Sequence, residues 1–219
     1  LHAEILSAAG DHAGVEALLG DAVRSPGSSA DLLAMYAESL IEQDRVEEAE
    51  RLYSERCAAD SLSPMLAFLH ARVLVVCGRP EEAAAELVRA ERLDPESSAI
   101  TGTLGELLLA LGRPAEAARR LERLVRRVSA PEGDVAALAR AYCDLGEPGR
   151  AVSLVTEALA ERGERPGLLA ALGAAQYLGG DVPAATSTYE RLLALDPDAV
   201  VAMNFVAYSL AESGRDLDR

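Results

Sequence analysis

Apolar residues recur along this chain at helical spacing, in runs of 10 to 15 residues that stop at glycine and restart near proline. Residues 98–112 read SAITGTLGELLLALG. Leu104, Leu107, Leu108 and Leu111 fall on one face of a helix that ends at Gly112. Glycine suits the left-handed residue just past a helix end. Pro114 then stands where a first helical turn tolerates it, and Glu116 places a negative charge near that helix start. Leu121, Leu124, Val125 and Val128 carry the apolar stripe on until SAPEG breaks it. The local code is helix, tight corner, helix.

The same corner returns at a fixed interval. CGRPEEAAAEL at 77–87 and LGRPAEAARRL at 111–121 lie 34 residues apart. Stepping by 34 from Gly10 gives Gly10, Asp44, Gly78, Gly112, Gly146, Gly180 and Gly214. Stepping from Val15 gives Val15, Ala49, Ala83, Ala117, Ala151 and Ala185. The column from Ala3 is also small, while those from Leu6 and Leu19 stay mostly large: Leu40, Leu74 and Leu108 in one, Tyr53, Leu87, Leu121, Val155 and Tyr189 in the other. Small columns let paired helices approach to about 8–10 Å, and the large ones fill the space beside them. One pair cannot bury its own apolar face, so pairs must stack. The expected fold is all-α: a right-handed superhelical solenoid of stacked antiparallel helix pairs, first helices lining the concave side and second helices the convex side.

These residues resemble the tetratricopeptide repeat, whose pattern is W-x2-L-G-x2-Y, then A-x3-F, then P, at a period of 34. LGELLLALGRPAEAARRL from Leu104 matches the L-G and A-x3-F positions, with Leu121 in place of the aromatic. LGAAQYLGGDVPAATSTY from Leu172 matches and ends in Ala185 and Tyr189. LDP closes two repeats, at 93–95 and 195–197. No Trp opens a repeat; Leu33, Ala67, Thr101, Val135 and Leu169 stand there. The period divides residues 1–219 into a single array: a partial repeat at 1–29, repeats at 30–63, 64–97, 98–131, 132–165 and 166–199, and the first helix of a truncated seventh at 200–219. Neither end reads as a polar cap, so more repeats or another domain are expected to flank the chain. The stretch AMNFVAYSLAESGRDLDR resembles a late repeat of long bacterial proteins in this family.

Composition narrows the function. The net charge is −15, a field that repels phosphate backbones, so nucleic acid is not the expected partner. All 21 basic residues are Arg, as codon bias in a high-GC genome would produce. Cys57, Cys77 and Cys143 form no CxxC pair, and their odd number argues against a disulfide framework; they read as reduced core thiols. No apolar run is long enough to span a membrane, so no membrane insertion is expected. The expected compartment is the cytoplasm, with a periplasmic or lipid-anchored location left open because the sequence starts at Leu1 without Met.

Catalytic chemistry is not visible. No HExxH, GxSxG, GxGxxG or phosphate-loop pattern occurs, and no cofactor or metal is implied. His70 falls in a core-facing column with His2, Tyr36 and Leu104 and is expected to pack there with one nitrogen satisfied. Glu47/Glu48 and Glu81/Glu82 sit in first helical turns, where they favour the helix dipole.

The expected groove is lined by three ladders of first-helix residues. Glu38, Arg72, Glu106, Arg140, Ala174 and Tyr208 form one; its first four members alternate in sign and are expected to pair with each other. Ala34, Phe68, Gly102, Ala136, Ala170 and Asn204 form the second, and Ile41, Val75, Leu109, Cys143, Tyr177 and Ala211 the third. Readers of acidic C-termini in this family use a basic clamp, but here only Arg72 and Arg140 are basic. The late groove, with Tyr177, Leu178, Asn204 and Tyr208 over Ala170, Ala171 and Ala174, suits an extended or helical apolar peptide, Asn204 bonding the ligand backbone. The same aromatics could instead cover a flanking repeat. A secondary patch, Arg119, Arg123 and Arg127, lies in the basic run ARRLERLVRRV, which reads either as a docking face for an acidic partner or as a solvated face with Glu116–Arg120 and Glu122–Arg126 pairs. Two functions follow: a scaffold that binds a protein or peptide in its groove, or a regulatory or substrate-recruiting arm of a larger enzyme whose catalytic domain lies elsewhere. Oligomeric state is not legible.

Overall fold

The computed structural model describes residues 6, 8–25, 27–126 and 130–212. Twelve helices account for most of them: α1 (His12–Arg24), α2 (Ala30–Glu42), α3 (Val46–Ala59), α4 (Pro64–Val76), α5 (Pro80–Leu93), α6 (Ser98–Ala110), α7 (Pro114–Val125), α8 (Glu132–Asp144), α9 (Pro148–Arg162), α10 (Pro166–Leu178), α11 (Val182–Leu195) and α12 (Val200–Glu212). The first helices α2, α4, α6, α8, α10 and α12 begin at 30, 64, 98, 132, 166 and 200, one start every 34 residues. There are no strands among the described residues. The chain divides into two compact units, 1–107 and 108–219.

The corner between paired helices is made the same way each time. Gly10, Asp44, Gly78, Gly112, Gly146 and Gly180 all have φ between 60° and 83°. After α4 the Gly78 N–H donates to the Val75 carbonyl and the Arg79 N–H to the Leu74 carbonyl. The same pair of bonds closes α2, α6, α8 and α10. This is the Schellman arrangement, which satisfies carbonyls a helix end would otherwise leave unpaired. A Cβ at Gly78, Gly112 or Gly146 would meet nothing within 4 Å, so the glycines are there for backbone conformation and not for space. Asp44 is the one non-glycine residue with positive φ among the described residues.

The restart is capped by varied chemistry. Asp11 and Asp181 accept the N–H groups of Gly14 and Ala184. Arg45, Arg79 and Arg113 at the same position instead pair three residues on with Glu48, Glu82 and Glu116. At Glu147 and Arg150 the two charges are exchanged. The guanidiniums of Arg45 and Arg79 also reach the preceding repeat, at Glu16 and Glu50. They hold the Glu48 and Glu82 carboxyls below the ordinary carboxylate range.

The core follows the columns. Val15, Ala49, Ala83, Ala117, Ala151 and Ala185 are fully buried. Leu19, Tyr53, Leu87, Leu121, Val155 and Tyr189 are buried beside them. In unit 1, α1 to α4 share one cluster around Leu33, Leu40, Tyr53 and Leu69. In unit 2, Leu169, Ala185, Tyr189, Leu192 and Ala202 form the cluster of α10 to α12. Gly173 makes its close approach possible, since a Cβ there would stand 2.8 Å from the Tyr189 ring. Gln176 occupies a position that is Leu at 40, 74 and 108 and Tyr at 142, and its Oε1 accepts the Thr188 hydroxyl at 2.7 Å. A polar side chain enters the interior with its partner supplied.

Candidate functional site

The first helices of unit 2 present aromatic and apolar side chains outward. Tyr177 and Leu178 end α10 and are 45% and 60% exposed. Tyr208 on α12 is 55% exposed, and Asn204, one turn before it, is also exposed. Ala170, Ala171 and Ala174 are half-buried on α10. Phe205 ties the two helices together. Its ring lies 5.3 Å from that of Tyr177, edge to face, and 4.6 Å from that of buried Tyr189. The outward Tyr177 ring is thus braced from behind by a row of rings reaching the core. Sequence reasoning did not single out Phe205; one of only two Phe in the chain, standing in a column that holds Ala at 137 and 171, was the available signal.

The corresponding face of unit 1 has a different character. Arg72 is exposed at the wall of two pockets. The first, of about 220 Å³, lies between α2 and α4 with Ala34, Ala37, Ile41 and Val76 on its sides and Tyr53 beneath. The second, of about 240 Å³, lies between α4 and α6 beside Val75, Leu87 and Leu107. In the first, Ala34 and Ala37 leave room on the wall that larger side chains would fill.

The expected charge ladder does not form as ion pairs in unit 1. Among the described residues Arg72 has no ion pair with Glu38 or Glu106. All three are exposed, and a long side chain in water gains little from holding one geometry. Arg140 is exposed and lies 3.9 Å from Asp144, one turn along α8. In the basic run, Arg119 and Arg123 are exposed on α7, while Arg127 lies outside the described residues. Glu116 pairs with Arg113 as well as Arg120. Glu122 turns to Arg150 at 3.0 Å and accepts the Tyr142 hydroxyl, in place of the expected pairing with Arg126. The Arg150 guanidinium also lies over the Tyr142 ring at 4.0 Å.

His70 departs from expectation as well. It is buried on α4, yet neither ring nitrogen has a hydrogen-bond partner. Cys57 is buried, while Cys77 and Cys143 are half-buried, and all three are free thiols. Burial pushes each thiol above its ordinary value. No described helix is long and apolar enough to cross a membrane.

Models of the tetratricopeptide repeat match residues 30–55 and 64–89, 78–142 and 136–200. The chain belongs to the tetratricopeptide-repeat family. No curated protein sequence matches it. Solved tetratricopeptide-repeat structures superpose over most of its length. PilF of Pseudomonas aeruginosa is 22% identical with a TM-score of 0.68, covering 94% of each chain. YrrB, described as having an unusual peptide-binding site, is 18% identical with a TM-score of 0.66, over 85% of this chain and 96% of its own. MamA from Desulfovibrio magneticus RS-1 is 18% identical with a TM-score of 0.67, over 80% and 99%. At these identities the likeness concerns the fold.

Proposed function

We propose that this tetratricopeptide-repeat chain is a protein-interaction scaffold that binds an apolar peptide or partner segment on its first-helix face, with the main anchors in unit 2. The observation that carries this reading is the exposed set Tyr177, Leu178 and Tyr208, beside Asn204 and above half-buried alanines. Aromatic side chains that are already ordered lose little entropy on contact and dominate most interfaces. Phe205 orders Tyr177 in this way. Peptide binding by YrrB, a protein of the same fold, supports the class of function. Arg72 and Arg140 contribute secondary polar contacts, and the Arg119/Arg123 face is a further surface for an acidic partner. The net charge of −15 keeps nucleic acid an unfavourable ligand.

A phage-displayed peptide library selected on the purified protein supplies the probe. Recovered peptides should be apolar, and calorimetry should give a loss of about 1 kcal/mol or more for Tyr177→Ala and for Tyr208→Ala. Circular dichroism checks that each variant stays helical. Equal affinity for wild type and both variants would move the site away from this face.

A further inference from the structure

Three helices of unit 1 bring sulfur, nitrogen and oxygen donors together. Cys57 comes from α3, His70 from α4 and Glu86 from α5, and one ligand atom from each lies within 4.8 Å of the others. His70 is 8% exposed and Cys57 9%, and both His70 nitrogens lack a hydrogen-bond partner. An imidazole buried with neither nitrogen bonded forfeits the solvation of both. Its Nδ1 lies 3.7 Å from Glu86 Oε2 and its Nε2 3.6 Å from Glu50 Oε1, beyond hydrogen-bond reach on both sides.

We propose that Cys57 Sγ, His70 Nδ1 and Glu86 bind a zinc-class divalent cation. A tetrahedral zinc with bonds of about 2.0–2.3 Å sets its ligand atoms roughly 3.3–3.8 Å apart. The Nδ1 to Oε2 separation already lies in that range, and the thiol has only a short distance to close. Thiolate with imidazole selects zinc over calcium or magnesium, which prefer oxygen alone. Glu50 completes the arrangement from behind. A ligating histidine usually donates its other ring N–H to a carboxylate, and Glu50 Oε1 stands at Nε2. Three protein ligands leave the fourth position to water.

Charge and protons balance. A free cysteine carries its proton at neutral pH. On binding, the S–H bond breaks, the proton leaves to solvent, and a sulfur–metal bond forms. One thiolate and one carboxylate then neutralise the dication. In the metal-free protein Arg89 supplies positive charge at this spot. Its Nε and Nη2 donate to Glu86 Oε2 at 3.0 and 2.6 Å, and its Nη1 donates to the Ser61 carbonyl. Arg89 therefore competes with the cation for Glu86. The partly exposed Glu86 and Arg89 side chains also give the ion its route from solvent.

The test is titration of the full chain with Co²⁺ followed by Zn²⁺ displacement. The wild type should bind one equivalent, with the near-ultraviolet thiolate-to-cobalt band and the visible bands of a tetrahedral site. Cys57→Ser should abolish the thiolate band, while Cys77→Ser and Cys143→Ser leave it unchanged. His70→Gln should weaken binding by tenfold or more, and Glu50→Gln by about tenfold. Arg89→Ala should tighten binding, a gain that a damaged fold cannot produce. Zinc should raise the melting temperature of the wild type and not of Cys57→Ser. Absence of stoichiometric binding, a thiolate band that survives Cys57→Ser, or weaker binding in Arg89→Ala would overturn the proposal.

Discussion

The first-helix columns read differently in the two units. In unit 1 one column holds Glu38, Arg72 and Glu106, and in unit 2 it holds Arg140, Ala174 and Tyr208. Another changes from Ala34, Phe68 and Gly102 to Ala136, Ala170 and Asn204. Unit 1 thus presents charge around two small pockets, and unit 2 presents braced aromatics. One interior column scarcely changes between the units: Val15, Ala49 and Ala83 in one, Ala117, Ala151 and Ala185 in the other, all fully buried. The 34-residue frame holds packing constant and leaves the outward face free to diverge. The difference between the units is a difference of surface on one scaffold.

The largest effect separates core from face directly. Leu121→Ala, at a fully buried position, should cost about 2–5 kcal/mol through lost burial and a cavity. Tyr177→Ala, at an outward position, should stay within about 0.5 kcal/mol, allowing for its contact with Phe205. Urea unfolding of both variants checks this, and comparable losses would mean that the outward face is structural. Next come the small columns. Ala117→Leu and Ala151→Leu should each lose about 1–3 kcal/mol by overpacking. Tolerance of leucine at either position would break the helix-pair register.

The corner gives a smaller and more diagnostic effect. Gly112→Ala introduces a Cβ that touches nothing within 4 Å, so contact arguments predict no change. The φ of 68° predicts a loss of about 1–2 kcal/mol. Asp44→Gly should move the other way, because Asp44 holds the same conformation with a side chain attached. Thermal melts of the two variants decide between the readings.

The smallest effect lies in acid. Hydrogen bonds from Arg45 and Arg79 lower the folded-state values of Glu48 and Glu82. Their share of stability is present above the ordinary carboxylate range and is lost as pH falls through the lowered values. Arg79→Ala should therefore flatten the acid limb of a pH–stability curve and leave the neutral plateau nearly unchanged. An unaltered limb would show that the exposed pair contributes nothing.

The fold was legible in the sequence because packing repeats. A corner that needs a left-handed residue every 34 positions leaves a column of glycines, and close helix approach leaves a column of alanines. The site was legible only in part. Tyr177, Leu178, Asn204 and Tyr208 could be placed outward from helical spacing alone, but the bracing of Tyr177 by Phe205 depends on a contact between α10 and α12. The pockets beside Arg72 depend on how side chains from separate helices come together at a wall. Pairing of Arg72 with Glu38 and Glu106 looked natural from the alternating signs, yet spacing along a column does not decide whether exposed charges meet. Cys57, His70 and Glu86 stand at unrelated positions of the repeat, so no periodic signal could have joined them.

Amide hydrogen exchange with and without a selected peptide tests most directly whether unit 2 carries the docking face. The account predicts that protection is gained chiefly in 166–178 and 200–212, with little change in 64–76. Protection concentrated in 64–76, or in the second helices alone, would contradict it.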